Sequence, residues 1–204
     1  MNNERIILGI DPGTNVLGYG VLRVVGRQAE MVTLGVIDMH RVADIYLKLG
    51  RIYERVMGII ESFKPDEVAI EAPFFGKNAQ TMLKLGRAQG VAIAAAISRN
   101  IPIHEYAPMQ IKQAITGRGA ASKEQVAALL QRQLHISQET LDSVPYLDAT
   151  DALAAAYCHH LGTMPGPRIP QPGGRTAWST PGGRTKASQS WEHFAQQNAN
   201  RVHQ

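Results

Sequence analysis

The stretch ADIYLKLGRIYERVMGIIESFKPDEVAIE, Ala43 to Glu71, decides how the chain folds. Ile45, Leu49, Ile52, Tyr53, Val56, Ile59, Ile60 and Phe63 recur at steps of three and four, which predicts an amphipathic helix from about Ala43 to Phe63. Pro65 stops that helix. Val68 to Ile70 then reads as a short apolar strand ending on Glu71. Upstream, Arg5 to Ile10 reads as a buried strand that ends on Asp11, before a turn at Pro12-Gly13-Thr14. A helix crossing between two strands of one sheet makes them parallel, with a right-handed connection. Asp11 and Glu71, distant in sequence, therefore belong side by side on one edge of the sheet.

Between these strands, Gly18 to Val25 and Met31 to Met39 read as two more, joined by a hairpin near Gly26-Arg27. Three strands with short connections predict an antiparallel meander. Beyond Glu71 comes a loop, Ala72 to Lys77, carrying the adjacent aromatics Phe74 and Phe75, then a long helix from Asn78 to Arg99. Gly86 and Gly90 lie one turn apart on that helix, near Ala79, Leu83 and Ala94, and suit either close packing within the chain or a subunit interface. Ile101 to Tyr106 reads as a fifth strand and Pro108 to Thr116 as a short helix. Ser122 opens another helix reaching about Leu134, with Gln125 at the capping-box position. The expected fold is α/β, a mixed five-stranded sheet flanked by helices.

The final helix begins in Asp148-Ala149-Thr150-Asp151-Ala152-Leu153-Ala154-Ala155-Ala156-Tyr157, an alanine-rich run of strong helix propensity. Its two acids, three residues apart, share one face of the first turn. Such a pair is ordinarily an exposed cap. With Asp11 and Glu71 at strand ends it becomes a candidate cluster of four carboxylates. Hard oxygen donors suit Mg²⁺ or Mn²⁺ rather than zinc, and no Cys/His metal spacing is seen in the sequence. Four carboxylates can hold two cations about 4 Å apart, the arrangement suited to in-line displacement at a phosphodiester.

The formal net charge of +4 over 204 residues belongs to the end of the chain. Arg168, Arg175, Arg184, Lys186 and Arg201 face a single acid, Glu192, in a Pro/Gly-rich segment with two Gly-Gly-Arg-Thr repeats. Residues 1–163 are expected to form the domain, and 164–204 a basic, disordered tail that touches nucleic acid or is simply solvated. Trp191 and Phe194 could form a short docking helix within it. Cys158, the one cysteine, reads as a small buried hydrophobe and excludes an intrachain disulfide. No apolar run is long enough to span a membrane, which leads to the expectation of a soluble, cytoplasmic protein.

Six blocks in order resemble the RuvC-type Holliday junction resolvases: Gly9-Ile10-Asp11-Pro12-Gly13, Gly18-Tyr19-Gly20-Val21, Ala69-Ile70-Glu71, Lys77-Asn78-Ala79, Leu83 to Ile93, and Asp148 to Ala154. The resemblance runs from about Arg5 to Leu161 and implies an RNase H-like fold, a homodimer, and Asp11, Glu71, Asp148 and Asp151 as catalytic metal ligands. It implies two Mg²⁺ ions per subunit, with Mn²⁺ as a substitute. Some members carry His at the position of Asp148. Phe74 matches an aromatic that stacks at the junction centre. Lys77 falls in a matching block, and Lys112 and Lys123 match basic residues near the scissile strand; all four are expected to contact DNA. The implied activity is paired symmetric nicking of four-way DNA junctions in recombination and repair, with the RuvA and RuvB branch-migration proteins as partners and no membrane. Two other readings are open. A sugar-kinase-like ATPase also places Asp-x-Gly-Thr after its first strand but needs a second copy of the domain. A junction-binding scaffold would keep the shape without the chemistry, a reading that the presence of all four acids weighs against.

Overall fold

The computed structural model of the chain describes residues 4–73, 78–144 and 147–164. Five strands form one sheet in the order β3-β2-β1-β4-β5. Strands β1 (Glu4–Asp11), β2 (Val16–Val25) and β3 (Gln28–Asp38) make the expected antiparallel meander. The β2–β3 hairpin turns at Gly26, whose φ of 62° lies in the left-handed region that glycine tolerates. Helix α1 (Ile45–Phe63) then crosses to β4 (Glu67–Glu71), which pairs parallel with β1, Ile10 opposite Ile70. This is the pairing that the change of period announces. Strand β5 (Ile103–Tyr106) adds in parallel beyond β4.

Local chemistry sets the helix limits. Asp44 caps α1 by accepting hydrogen bonds from the backbone N–H of Tyr46 and Leu47, and Lys64 leaves it in a left-handed conformation just before Pro65. Helix α2 (Ala79–Ile97) is capped in the same way by Asn78. Helix α3 (Pro108–Thr116) has proline in its first turn, and α4 (Lys123–Gln133) carries the Ser122/Gln125 capping box. A short helix α5 (Gln138–Asp142) follows, which hydrophobic periodicity does not announce. Helix α6 (Leu147–Thr163) closes the described fold.

The sheet separates two cores. Ile52, Val56 and Ile60 of α1 and Ala88, Ala92 and Ala95 of α2 pack on one face. The other face carries α6 with α3 and α4, through Leu153, Ala155, Ile111 and Leu130 among others. Helix α6 lies almost backbone to backbone on the sheet, because glycines line its path. A Cβ at Gly9 would fall 2.0 Å from the Ala152 carbonyl oxygen, and one at Gly20 2.7 Å from the Leu153 Cα. Gly9 and Gly20 are direct cross-strand partners. Alanines at 149, 152, 154, 155 and 156 are at most 1% exposed, so small side chains on the helix meet absent side chains on the strands. Cys158 lies in this core as expected, and burial pushes its thiol up to about 12.

On α2 the two glycines face open space. Nothing among the described residues lies within 4 Å of a Cβ built on Gly86 or Gly90, so their face packs against none of the described elements. Leu83 and Ile97, 57% and 53% exposed, lie on it as well. No described helix is long and apolar enough to cross a membrane. The expected tail, with Trp191 and Phe194, lies outside the described residues.

Candidate active site

Parallel pairing brings the C-terminal ends of β1 and β4 together, and strand periodicity aims their last side chains. Asp11 pairs across the ladder with Gly18, over which the α6 backbone passes: a Cβ there would meet the Asp148 carbonyl oxygen. Cross-strand partners point to the same face, so Asp11 faces the first turn of α6. Glu71 is two residues beyond Ala69, a member of the α6-side core, and points the same way. A cleft of about 260 Å³ is lined by Asp11, Gly13, Glu71, Pro73, Lys123 and Asp148 among others. Asp151, one turn further along α6, is only 8% exposed and takes an ion pair from Lys123. The sheet edge and the first turn of α6 thus bring all four predicted acids together with Lys123.

Crowded carboxylates resist ionisation. Burial, then the charges of Glu71 and Asp151, push Asp11 up to about 8, against the opposing pull of Lys123. Glu71 rises to about 7, chiefly through burial and then Asp151, with Lys123 and Lys112 pulling the other way. Asp151 is also raised: burial outweighs its hydrogen bond with Lys123. Lys123 gains proton affinity overall, since the Asp151 hydrogen bond and the surrounding acids exceed its burial penalty. Lys112 of α3 acts electrostatically on Glu71 and Asp151. Phe74 and Lys77 lie outside the described residues.

An all-oxygen set whose members repel one another is the donor chemistry that Mg²⁺ or Mn²⁺ takes. No three of these acids have carboxylate oxygens within 4.8 Å of one another in the described structure, and Asp151 is paired with Lys123. Among the described residues, the group that meets that spacing is Glu67, His104 and His159, which the sequence reading missed. Those residues come from β4, β5 and α6, so no local Cys/His spacing could have announced them.

A mixed sheet in this order, with acids at the ends of β1 and β4 and on the last helix, defines an RNase H-like nuclease. The comparisons with known proteins narrow that class. The chain matches the family described as "Crossover junction endodeoxyribonuclease RuvC" over residues 7–159. It is 66% identical over 158 residues to the crossover junction endodeoxyribonuclease RuvC of Bacteroides fragilis, covering 78% of this chain and 83% of the relative. With that of Porphyromonas gingivalis it shares 53% identity over 199 residues, covering 98% of this chain and 97% of the relative. Among solved structures it resembles Thermus thermophilus RuvC in complex with Holliday junction substrate. There the TM-score is 0.70 at 34% identity, covering 77% of this chain and 93% of that one. The chain belongs to the crossover junction endodeoxyribonuclease RuvC family. It is an endodeoxyribonuclease, a phosphodiester hydrolase of DNA recombination and repair.

Proposed function

We propose that the chain resolves four-way DNA junctions as a homodimer, each subunit nicking one of two opposing strands. The observation that carries this reading is the convergence of four carboxylates on one sheet edge, with Asp11 and Glu71 driven up to about 8 and about 7. So many buried and half-buried acids in one cleft are compensated only in part by Lys123, and they call for further positive charge. Asp11, Glu71, Asp148 and Asp151 would hold two Mg²⁺ ions, with Mn²⁺ able to replace them. Bound there, the ions would help deprotonate a water and stabilise the leaving oxyanion. The chain's own residues orient the strand. Lys123, its side chain 52% exposed at the cleft, and Lys112, whose charge acts on Glu71 and Asp151, supply positive charge to the scissile phosphate. Phe74 and Lys77 lie outside the described residues; Phe74, matching the family's stacking aromatic, and Lys77, in a matching block, are assigned to junction contact by that resemblance.

Two symmetric nicks need two acid clusters related by a twofold axis. The exposed face of α2, with Leu83, Gly86, Gly90 and Ile97, is the surface we assign to the subunit contact. RuvA and RuvB are the expected partners, and the cytoplasm the expected compartment. Residues 164–204 act as an added basic tail rather than as part of the nuclease domain.

The test is a pair of variants. Asp11→Asn and Glu71→Gln should abolish nicking yet keep or strengthen junction binding, because each removes charge that repels phosphate. If either variant lost binding along with cleavage, the acids would be structural and the metal assignment wrong.

A further inference from the structure

Glu67, His104 and His159 lie at the opposite end of the sheet from the catalytic acids. Glu67 opens β4 and Glu71 ends it, so roughly 13 Å of strand separates the two places. His159 is 1% exposed, and both of its ring nitrogens are engaged. Nε2 lies 2.7 Å from Glu67 Oε2, and Nδ1 lies 2.6 Å from Tyr106 Oη. The His104 ring stacks on that of His159, with centroids 4.2 Å apart. One donor atom from each of Glu67, His104 and His159 falls within 4.8 Å of the other two. Arg5 Nη1 lies 3.3 Å from that same Glu67 Oε2.

We propose that Glu67, His104 and His159 form a second cation site, of the zinc class, separate from the nuclease centre. Two imidazoles and one carboxylate are a mixed nitrogen–oxygen donor set, which favours Zn²⁺ over Mg²⁺. The two ends of β4 would then take cations of different classes. The partners around the triad are those of a supported site. Tyr106 holds the His159 ring from its far nitrogen, and Arg5 holds the Glu67 carboxylate, as outer partners do in metal centres. Coordination needs only a local exchange. The ion replaces the hydrogen now shared by His159 Nε2 and Glu67, and the ring carries its hydrogen on Nδ1 instead. The hydrogen bond to Tyr106 thereby reverses direction, and the imidazole stays neutral. His104 and Glu67 are partly exposed, which leaves an entry path and a position for water.

The three residues belong to β5, β4 and α6. An ion there would tie the C-terminal half of α6 to the sheet, while the first turn of the same helix holds Asp148 and Asp151. Its role is structural, and it does not depend on the junction-resolving function.

The test is a Zn²⁺ titration by calorimetry on the full chain with Mg²⁺ in excess, repeated with Co²⁺ and read by visible absorption. One Zn²⁺ should bind per chain in the wild type and equally in Asp11→Asn, which alters only the nuclease centre. His104→Phe keeps the ring stack and removes a ligand nitrogen; Glu67→Gln removes the carboxylate charge. Each should weaken Zn²⁺ binding at least tenfold and cancel the rise in melting temperature that Zn²⁺ gives the wild type. Circular dichroism confirms that both variants are folded. The proposal is overturned if the wild type binds no Zn²⁺ near one equivalent, or if both variants bind it as tightly as the wild type.

Discussion

Replacing Asp11 by Asn should make the metal-free protein more stable, by an amount that grows as the pH rises from about 4 to about 8. Asn keeps the shape of the side chain and removes the charge. Burial and the neighbouring acids raise Asp11 from its ordinary value of 3.8 to about 8. A folded-state pKa above the unfolded one sets the sign: the carboxyl's support for folding is complete below about 3.8 and is lost as the pH rises through about 8. A tenfold change in proton affinity is worth about 1.36 kcal/mol, so the rise from 3.8 to about 8 bounds the effect at about 6 kcal/mol. The cleft is open to water, which screens part of this and leaves about 2–4 kcal/mol. For a chain of this size, about 1 kcal/mol moves the melting temperature by about 2–4 °C. Thermal unfolding followed by circular dichroism in EDTA should show Asp11→Asn melting about 5–15 °C above the wild type near pH 8, with the gap much smaller near pH 5. Excess Mg²⁺ should narrow or reverse the gap at pH 8, because the wild type binds the ion better. An equal gain at both pH values, or no gain at pH 8, would refute the claim that Asp11 is held in a cluster of repelling acids.

Lys123→Met removes the cation paired with Asp151; it should lower the nicking rate at least tenfold and move the pH–rate profile upward, and an unshifted profile would separate Lys123 from the acids. Gly20→Ala drives a methyl group against the Leu153 backbone; overpacking of this kind costs about 1–3 kcal/mol, read as a lower urea midpoint at unchanged slope. A midpoint equal to the wild type would show that α6 can move off the sheet freely. Deleting residues 165–204 removes five basic residues and one acid; it should weaken junction binding and flatten its dependence on salt, whereas an unchanged slope would make the tail a spectator.

The parallel pairing of β1 and β4, and with it the meeting of Asp11 and Glu71, was legible because the hydrophobic period changes from two to three-and-four at Ala43 and back at Val68. The capping signals at Ser122 and Pro65 were equally readable, being local chemistry. Strand ends were less so. Strand β3 starts at Gln28 rather than Met31, because its polar residues Gln28 and Glu30 lie on an exposed hairpin arm where the ladder, not burial, extends the strand. Helix α5 has five residues, too few for a period to register. Gly9, Gly18 and Gly20 stand out in the sequence, but that they make room for α6 depends on which helix covers them. The Glu67–His104–His159 group was illegible for the same reason: only the register of β4 with β5 and the length of α6 bring those residues together.

The most direct measurement is cleavage of a synthetic four-way DNA junction, end-labelled on each strand in turn, with Mg²⁺ or with EDTA. Paired nicks at symmetric positions on two opposing strands are expected, absent in EDTA and on plain duplex. Binding without nicking, or equal cutting of junction and duplex, would contradict the assignment of this chain as a junction resolvase.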